Sequence, residues 1–486
     1  MTDALALLRS MQAADLPVHG GRTLAYVYDS GLPDIDRIGR EAVAAYAGSN
    51  GLDPTAFPSL LKMETEVVGM AADLLDAPET TVGTVTSGGT ESVLLAVQAA
   101  RDAHRAIEQS GIEQSGIGRP RMVLPTTAHA AFHKAAHYFG VEPVLVPVGP
   151  DLRADPVAMG AAMDERTVLV VASAPSYAHG VVDPVAAIAA AAAERGIRCH
   201  VDACIGGWVL PYAARLGRDV PAWTFAVEGV TSISVDLHKY AYAPKGTSVL
   251  LHRTPELRRP QFFASAAWPG YTMLNSTMQS TKSGGPLAGA WAVMRSLGDD
   301  GYERLARDVF EAVDAIATGL ADIPELAVVS TPDSTLLALT ADGTCDPFTI
   351  CDEMAARGWY VQPQMSYAGA PATIHLSVSA ATLPHVPDLL AALTESVVAA
   401  VAAGPVTVDP AVAAFIGDLD PLTLSEEDFD GLLLAAGLTG PADTQGDLAL
   451  PQRMAEVNAM LDLAAPSMRE ALLIAFLDRL TRPRRG

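Results

Sequence analysis

The stretch Ser232-Ile-Ser-Val-Asp-Leu-His-Lys-Tyr240 decides the fold of this chain. Its apolar and β-branched start predicts a buried strand, and a His-Lys pair follows where that strand ends. The chain then turns through Pro244 and Gly246 and enters a second apolar strand at Val249–His252. We therefore expect Lys239 at the edge of a sheet, where aromatic and apolar neighbours lower its pKa and free the amine to form a Schiff base. A solvated loop lysine fits this fragment alone equally well.

Composition and charge limit the classes of protein to which the chain can belong. Its 486 residues are 50% hydrophobic and 18% charged, which is typical of a globular protein with two or three domains. A net charge of -24 argues against nucleic-acid binding over a broad surface, because phosphate backbones would be repelled. The N-terminus lacks the pattern of a signal peptide, and no alanine-rich run is long enough to span a bilayer. We therefore expect a soluble protein without a transmembrane segment.

The cysteines favour a reducing compartment. The chain has four of them, Cys199, Cys204, Cys345 and Cys351, which are too few for a disulfide framework and lack the spacing of zinc ligands. We expect a cytoplasmic location and predict no metal site.

Alternating strand and helix patterns between about residues 80 and 255 predict an α/β fold. Short apolar runs are separated by alanine-rich helical stretches, which indicates a mainly parallel sheet covered by helices on both faces. The runs are Arg121–Leu124, Pro143–Pro147, Thr167–Val171, Arg198–Asp202 and Ser232–Asp236.

Changes of pattern along the chain predict four parts. We expect residues 1–60 to form an arm on a larger body, 61–295 the large domain and 296–404 a smaller α+β domain. Residues 405–486 hold thirteen Asp and Glu against six Arg and predict an acidic, helical C-terminal extension. An apolar stripe there is expected to pack against the same protein or a second subunit. Its members are Leu472, Leu473, Phe476, Leu477 and Leu480.

The segment Thr86-Ser-Gly-Gly-Thr-Glu-Ser92 predicts a phosphate cradle at the start of a helix. Two glycines let the backbone approach a ligand closely, and the helix start supplies free N–H groups and the positive end of the helix dipole. Ser87 and Thr90 add hydroxyl groups. Alone, such a turn is as often a plain helix cap.

Two further residues follow predicted strands. Asp202 ends one strand and is suited to hold the protonated nitrogen of a pyridine ring, although a helix cap is an equal reading in isolation. His129 lies just beyond the strand that ends at Leu124, where its imidazole can stack on a planar ring or simply cap a helix. Because strand ends meet at one edge of a doubly wound sheet, the cradle, His129, Asp202 and Lys239 are expected to converge.

Together these motifs resemble the fold-type I pyridoxal-phosphate enzymes of the group II decarboxylase superfamily, and most closely the sphingosine-1-phosphate lyases. The resemblance covers roughly residues 20–400. Its segments are Phe57–Glu66, Thr86–Ser92, Ala128–Gly140, His179–Pro184, His200–Gly207 and Ser232–Ser248.

The resemblance implies pyridoxal 5′-phosphate as the cofactor and a role for each matching residue. Lys239 would form the Schiff base, Asp202 would pair with the pyridinium nitrogen, and His129 would stack on the ring. The expected cofactor-binding set is Ser87, Gly88, Gly89, Thr90, His129, Ser173, Asp202, His238 and Lys239. Lys245 would lie near the reacting substrate, a small-molecule amine, and a homodimer is expected, with the N-terminal arm reaching across.

One segment departs from the lyase pattern. The lyases that act on phosphorylated substrates typically carry Gly-Ser-Arg-Pro-Gly after the lysine, with a tyrosine about nine residues before the arginine. Here Lys282 occupies the arginine's place and Met273 the tyrosine's, with Tyr271 as a candidate replacement two residues away. A lysine keeps the charge but loses the bidentate fork of arginine, so Lys282 is only a candidate for binding a substrate anion.

Three functions remain open at this point. The first is a lyase that cleaves a carbon–carbon bond of an amino alcohol or phosphorylated amine by retro-aldol chemistry through an external aldimine, with Lys239, His129, Lys245 and Tyr271 as catalytic residues. The second is an L-amino-acid decarboxylase on the same scaffold. The third is a catalytically weak homologue that serves as a scaffold.

Overall fold

The computed structural model describes residues 3–109, 118–435 and 453–483, and a seven-stranded sheet forms its centre. The strand order is β1-β7-β6-β5-β4-β2-β3, and only β7 runs antiparallel to its neighbours. This confirms the predicted mainly parallel sheet. The strands are β1 (Val82–Thr86), β2 (Arg121–Pro125), β3 (Glu142–Val146), β4 (Thr167–Ser173), β5 (Arg198–Asp202), β6 (Val230–Val235) and β7 (Ser248–His252).

Helices cover both faces of this sheet because successive side chains of a strand point to opposite sides. On β2, Val123 joins one buried apolar cluster, whereas Met122 and Leu124 join the other. The second cluster packs under α4 and α5, with Phe132 at its centre. The helices are α3 (Pro58–Leu74), α4 (Gly89–Gln109), α5 (Ala130–Phe139), α6 (Pro156–Ala162), α7 (Val185–Ala193), α8 (Leu210–Arg215) and α9 (Pro255–Arg258).

A kinked helix, α10 (Gly284–Gly319), leads from the large sheet to a smaller one. The kink lies at Gly298, whose φ of 60° is readily adopted only by glycine, and the predicted boundary after residue 295 falls just before it. The small sheet is antiparallel in the order β10-β11-β13-β12. Its elements are β10 (Leu326–Val328), β11 (Leu336–Ala341), α11 (Pro347–Ala356), β12 (Gln362–Gln364), β13 (Thr373–Ser377) and α12 (Val386–Ala403).

Within the described ranges, one helical stretch, Ala380–Ala403, is long and apolar enough to cross a membrane by length and composition. Its α12 part buries one face, including Leu389, Leu393 and Val397, and contacts α10 and α11. These contacts are those of an amphipathic helix that packs on a domain core.

The N-terminal arm lies on both domains. Its first helix, α1 (Ala4–Gln12), buries no residue, whereas α2 (Pro33–Ala45) packs along α10. Between them, the Leu24 N–H donates to the Tyr360 carbonyl at 2.8 Å, and the Ser377 N–H donates to the Leu24 carbonyl at 2.7 Å. The arm therefore extends the hydrogen bonding of the small domain and brings residues 26–28 toward the carboxyl end of the large sheet.

The C-terminal helices α13 (Pro410–Asp418), α14 (Glu426–Ala435), α15 (Ala455–Leu463) and α16 (Pro466–Leu480) enclose an apolar core of their own. The predicted stripe on α16 is divided: Leu472 and Phe476 belong to this core, whereas Leu473, Leu477 and Leu480 are exposed. The Asp352 carboxylate joins these helices to the small domain by accepting the N–H groups of residues 454 and 455 at 2.8 and 2.9 Å.

A two-stranded hairpin precedes α10. Its strands, β8 (Phe263–Ser265) and β9 (Met273–Asn275), pair antiparallel. The hairpin belongs to residues 262–283, which we call the hairpin segment and which carries Tyr271 and Lys282.

Candidate active site

A cavity of about 380 Å³ opens where β1, β4, β5 and β6 end. The topology brings together there all nine residues of the predicted cofactor-binding set. These are Ser87, Gly88, Gly89, Thr90, His129, Ser173, Asp202, His238 and Lys239. Seven further residues on its wall that sequence reasoning did not single out for the site are Glu91, Val93, Pro175, Tyr177, Cys204, Ile205 and Asp236.

The cradle is the N-terminal end of α4, which begins at Gly89. A Cβ at Gly89 would lie 2.7 Å from both carboxylate oxygens of Asp236, so only glycine fits there. Gly88 has a φ of 158°, which side chains rarely adopt. Beneath the turn, the Ser92 hydroxyl lies 2.7 Å from that of Thr86 and 2.9 Å from that of Ser248, which ties the helix start to β1 and β7.

Lys239 is paired with a buried carboxylate. Its Nζ lies 2.9 Å from Oδ2 of Asp236, whose side chain is 4% exposed. The predicted lowering of the Lys239 pKa is wrong: burial acts to lower this pKa, but the charge of Asp236 outweighs burial and the net pKa is raised. Burial likewise acts to raise the pKa of Asp236, and Lys239 and His238 outweigh it and lower that pKa. The pair is therefore charged.

One carboxylate oxygen of Asp236 has no hydrogen-bond partner among the described residues. Its Oδ1 is buried and accepts no hydrogen bond within the described part of the chain. His238 Nε2 lies 3.7 Å from Oδ2, and His238 Nδ1 lies 2.7 Å from the Thr247 carbonyl, which requires the proton to be on Nδ1. Burial lowers the pKa of His238, which favours its neutral form. An unsatisfied carboxylate oxygen next to a charged lysine is typical of a functional site rather than of a plain core.

Asp202 ends β5 and lines the cavity. Its Oδ1 accepts the Cys204 N–H at 3.1 Å, which orients the carboxylate and leaves Oδ2 for a cationic donor. Behind it, His200 lies between the hydroxyls of Ser232 and Ser234, at 2.9 and 3.2 Å. Burial lowers the pKa of His200 to about 4, so this histidine supports Asp202 as a neutral group.

His129 caps α5 and also lines the cavity. Its Nδ1 accepts the Ala131 N–H at 3.1 Å, and this bond fixes the ring. The ring is edge-on to Tyr177, with the centroids 6.2 Å apart. The predicted helix cap is therefore present, and the ring lies on the cavity wall, where the predicted stacking on a planar ring stays a prediction.

Tyr177 is the main residue that sequence reasoning missed. It follows β4, so its position after a strand end was the available signal. Its ring stacks on His375 at 4.3 Å, and its hydroxyl donates to Gln362 at 2.7 Å. Gln362 in turn donates to the Tyr26 hydroxyl at 2.9 Å. This chain connects the cavity to the small domain and to the N-terminal arm.

Lys245 lies behind His238, next to the arm. Its Nζ donates to the Tyr26 carbonyl at 2.8 Å and to the His238 carbonyl at 3.4 Å, and it lies 5.0 Å from the centre of the Tyr28 ring. Burial of the amine, reinforced by the positive charge of Lys239, lowers the pKa of Lys245 to about 8. Of the two lysines among the predicted catalytic residues, Lys245 is the one with the lowered pKa.

The structure does not bring Tyr271 or Lys282 into this cavity. Tyr271 is 54% exposed, on the turn of the hairpin segment. Lys282 Nζ lies 3.0 Å from Oε2 of Glu64 and donates to the Val85 carbonyl at 2.9 Å, while Glu64 accepts the Val85 N–H at 2.8 Å. The pair thus satisfies the free edge of β1, and the Lys282 charge is already neutralised.

Lys282 also lines a separate cavity of about 570 Å³, between α3, the edge of β1 and the hairpin segment. Lys282 was predicted to bind a substrate anion, but here its amine binds Glu64 and the Val85 carbonyl instead. The difference arises because counting along the sequence fixed the position of Lys282 but not its neighbour Glu64.

One group of potential metal ligands occurs in the described ranges, outside the cavity. It consists of His19, Asp29 and Asp36 in the N-terminal arm. The Asp29 carboxylate already accepts the N–H groups of Gly20 and Gly31, at 2.7 and 2.9 Å, so its hydrogen bonds close a turn.

The cavity fits pyridoxal 5′-phosphate. The glycine cradle and the helix N-terminus suit the phosphate, Asp202 suits a protonated ring nitrogen, and Lys239 suits the aldehyde. Among the described residues, the buried Oδ1 of Asp236 accepts no hydrogen bond, as expected where a polar ligand completes the site. The lining of the cavity at Lys239, Asp202 and the cradle therefore suits this cofactor.

Comparisons with known proteins agree with pyridoxal 5′-phosphate as the cofactor. Residues 26–341, more than half of the chain, match the profile described as the pyridoxal-dependent decarboxylase conserved domain. Residues 410–479 match a profile for a C-terminal domain of pyridoxal-dependent enzymes named after the helix-turn-helix.

Curated relatives include sphingosine-1-phosphate lyases. That of Arabidopsis thaliana is 40% identical over 362 residues, which cover 74% of this chain and 64% of the relative. Sphingosine-1-phosphate lyase 1 of Rattus norvegicus is 35% identical over 384 residues, which cover 79% of this chain and 65% of the relative. The chain therefore spans about two thirds of the length of these relatives.

Solved structures that resemble this chain also include a sphingosine-1-phosphate lyase. The sphingosine-1-phosphate lyase of Burkholderia pseudomallei superposes with a TM-score of 0.76 at 35% identity, covering 87% of this chain and 94% of the other. A glutamate decarboxylase of Lactobacillus brevis, with a TM-score of 0.73 at 19% identity over 82% of this chain and 92% of the other, shares the fold. The predicted fold class and cofactor are confirmed, and this chain belongs to the pyridoxal-dependent decarboxylase family.

Proposed function

We propose that the chain is a pyridoxal-phosphate-dependent lyase that cleaves the Cα–Cβ bond of a β-hydroxy amine. The observation that carries this proposal is Lys245, an amine with a pKa lowered to about 8 beside the residues that hold the cofactor. A retro-aldol cleavage needs a base for the β-hydroxyl proton, whereas loss of carbon dioxide does not. The lyase names of relatives at 35–40% identity support the same choice.

The bound cofactor supplies an acceptor for the electron pair that the broken bond leaves on Cα. The protein residues would orient the cofactor and neutralise its charges. Asp202 would keep the ring nitrogen protonated, the N–H groups at the start of α4 would hold the phosphate, and His129 would orient the ring. Ser173 and His238 complete the wall of the cavity.

Proton movement falls to Lys245. Cleavage removes the proton of the β-hydroxyl, breaks Cα–Cβ, leaves a carbonyl at Cβ and requires a proton at Cα. Above about pH 8 the Lys245 amine is neutral, so it accepts the β-hydroxyl proton, and the ammonium that results returns a proton to Cα. The Tyr177 hydroxyl has a pKa raised by burial, so it stays protonated and keeps its hydrogen bond to Gln362.

The reaction products distinguish this proposal from a decarboxylase. Purified holoenzyme is incubated separately with a phosphorylated long-chain amino alcohol, a non-phosphorylated one and a panel of L-amino acids including aspartate and glutamate. Aldehyde is trapped as a hydrazone, and carbon dioxide is measured in the same vessels. The proposal expects aldehyde from an amino alcohol. Release of carbon dioxide from an amino acid without any aldehyde would instead identify a decarboxylase.

We further propose that the functional unit is a homodimer in the cytoplasm. Apolar side chains exposed on the hairpin segment, namely Phe263, Trp268, Tyr271, Leu274 and Met278, support a dimer, as does the fully exposed helix α1. Light scattering coupled to size-exclusion chromatography tests it: a mass of about 101 kDa, twice 50.6 kDa, is expected, and a mass of one chain would refute the dimer. Fractionation of cells tests the location.

A further inference from the structure

Glu91 is a buried carboxylate in the first turn of α4 that joins two parts of the molecule. The residue is 6% exposed. Its Oε2 accepts the Ser87 N–H at 2.6 Å, and its Oε1 accepts the Met278 N–H at 2.7 Å and the Gln279 N–H at 3.3 Å. One side chain therefore holds the entry to the phosphate cradle with one oxygen and the hairpin segment with the other.

The hairpin segment has few other ties near this point. Gln261 donates to the Ser276 carbonyl at 2.7 Å, and Lys282 pairs with Glu64. Neither of these bonds reaches the cofactor cavity. Among the described residues, the hydrogen bonds that Glu91 accepts link the cavity wall to residues 276–279.

Glu91 and the part of the hairpin segment that it binds lie between two cavities. Glu91 lines the cofactor cavity, whereas Thr277 and Gln279 line the larger cavity of about 570 Å³. The carboxylate and the two amides that it binds thus form part of the wall between them. A shift of this wall changes the Ser87 end of the cradle and the larger cavity together.

We propose that Glu91 is a positioning residue that couples the phosphate cradle to the hairpin segment. The inference rests on the cofactor site assigned above. When a phosphate binds at the start of α4, Ser87 is fixed, and through Glu91 so are the amides of Met278 and Gln279. Linkage makes the effect reciprocal: a well-held segment binds the phosphate more tightly. A carboxylate suits the role because both oxygens accept, with short charge-assisted bonds.

The alternative role is a plain helix cap, since a first-turn glutamate commonly accepts an N–H at the helix start. A cap explains the bond to Ser87 but not the second oxygen on Met278. A test must therefore follow the Met278 and Gln279 amides, and not stability alone.

Glu91→Gln provides the sharpest change. The carboxamide keeps one acceptor, but its NH₂ group faces an N–H donor, so it holds Ser87 or Met278 and not both. Glu91→Asp keeps the charge and shortens the side chain, which breaks the bridge in a second way if the first variant fails to fold. Glu66→Gln is the matched control, because Glu66 accepts a single bond, from the Trp291 ring at 2.7 Å, which glutamine preserves.

Hydrogen exchange measured with and without saturating pyridoxal 5′-phosphate tests the coupling. We expect the cofactor to slow exchange at Met278 and Gln279 about tenfold in the native chain and in Glu66→Gln, and less than twofold in either Glu91 variant. Binding of pyridoxal 5′-phosphate should weaken about tenfold in the Glu91 variants. The proposal is overturned if the cofactor leaves these amides unchanged in the native chain, or if the Glu91 variants keep the slowing. Neither measurement needs a substrate, so failure of the proposed lyase activity would be seen separately.

Discussion

The cofactor cavity and the hairpin segment differ in what fixes their side chains. Asp202 and Lys239 follow buried strands of the large sheet, and strand order alone brings them to one edge. Tyr271 and Lys282 lie on a short hairpin whose apolar side chains are exposed. The cofactor chemistry is therefore determined by topology, whereas the substrate side depends on contacts supplied by neighbouring elements, the arm and the proposed second subunit.

The largest effect is expected in the cavity, at Lys239. Lys239→Ala removes the amine that reacts with the cofactor aldehyde, so activity should fall by at least about 10⁴-fold. The visible absorbance of the bound cofactor should also be lost. Lys134→Ala, a change to an exposed lysine on α5, serves as the control. An unchanged absorbance spectrum in Lys239→Ala would show that the site is assigned wrongly.

The second-largest effect on activity is expected at Lys245. Its pKa is lowered to about 8, so the neutral, proton-accepting form should grow as the pH rises through 8, and kcat/KM should rise with it. Lys245→Gln should lower kcat/KM by about 100-fold at pH 9 and abolish this rise. Kinetics from pH 6.5 to 9.5 measure both. A variant that retained the native pH profile would remove Lys245 from proton transfer.

Asp236 should control when Lys239 reacts. In the native chain the carboxylate raises the pKa of Lys239, and Asp236→Asn removes the largest influence that opposes the lowering by burial. Capture of pyridoxal 5′-phosphate by the apoprotein should therefore be about tenfold faster at pH 7, the effect of one pKa unit. Stopped-flow absorbance follows the capture. A slower capture would mean that Asp236 binds the cofactor rather than holding the Lys239 proton.

The hairpin segment should give smaller, structural effects. Lys282→Met and Glu64→Gln should each lower the free energy of unfolding by about 1–2 kcal/mol, with a coupling of about 1 kcal/mol in the double variant, because the pair is largely buried. Urea denaturation measures these values. The substrate KM of Lys282→Met should change less than threefold. A rise of tenfold or more would restore Lys282 as a substrate-anion ligand.

Tyr271→Phe should have the smallest effect. The backbone carbonyl of Tyr271, and not its hydroxyl, accepts the bond from the Trp268 ring, and the side chain is half exposed. Activity should change less than twofold. A loss of tenfold or more would show that Tyr271 reaches a substrate, either in this chain or across a dimer.

Much of the fold was predictable because apolar runs and strand-end residues carry a local signal. The strands β2 to β7 follow the predicted runs closely, and the nine cofactor residues meet as expected. The strand β1 was missed, since Val82–Thr86 contains a glycine and has only two apolar side chains.

The features of the site that the sequence did not predict have a common cause. The pKa of Lys239 depends on Asp236, three residues earlier in the same motif, and the charge of Lys282 depends on Glu64, which is distant in sequence. Tyr177 enters the cavity because β4 ends there, and its hydrogen bond to Gln362 comes from another domain. Pairings of this kind follow from packing between elements and have no local pattern.

Reductive trapping tests the central claim most directly. The holoenzyme is treated with borohydride, digested and mapped by mass spectrometry, with the native chain and Lys239→Ala compared in parallel. The structure predicts a single pyridoxyl adduct on Lys239 and none in the variant. An adduct on Lys245 or Lys282, or none on the native chain, would contradict the assignment of the cavity.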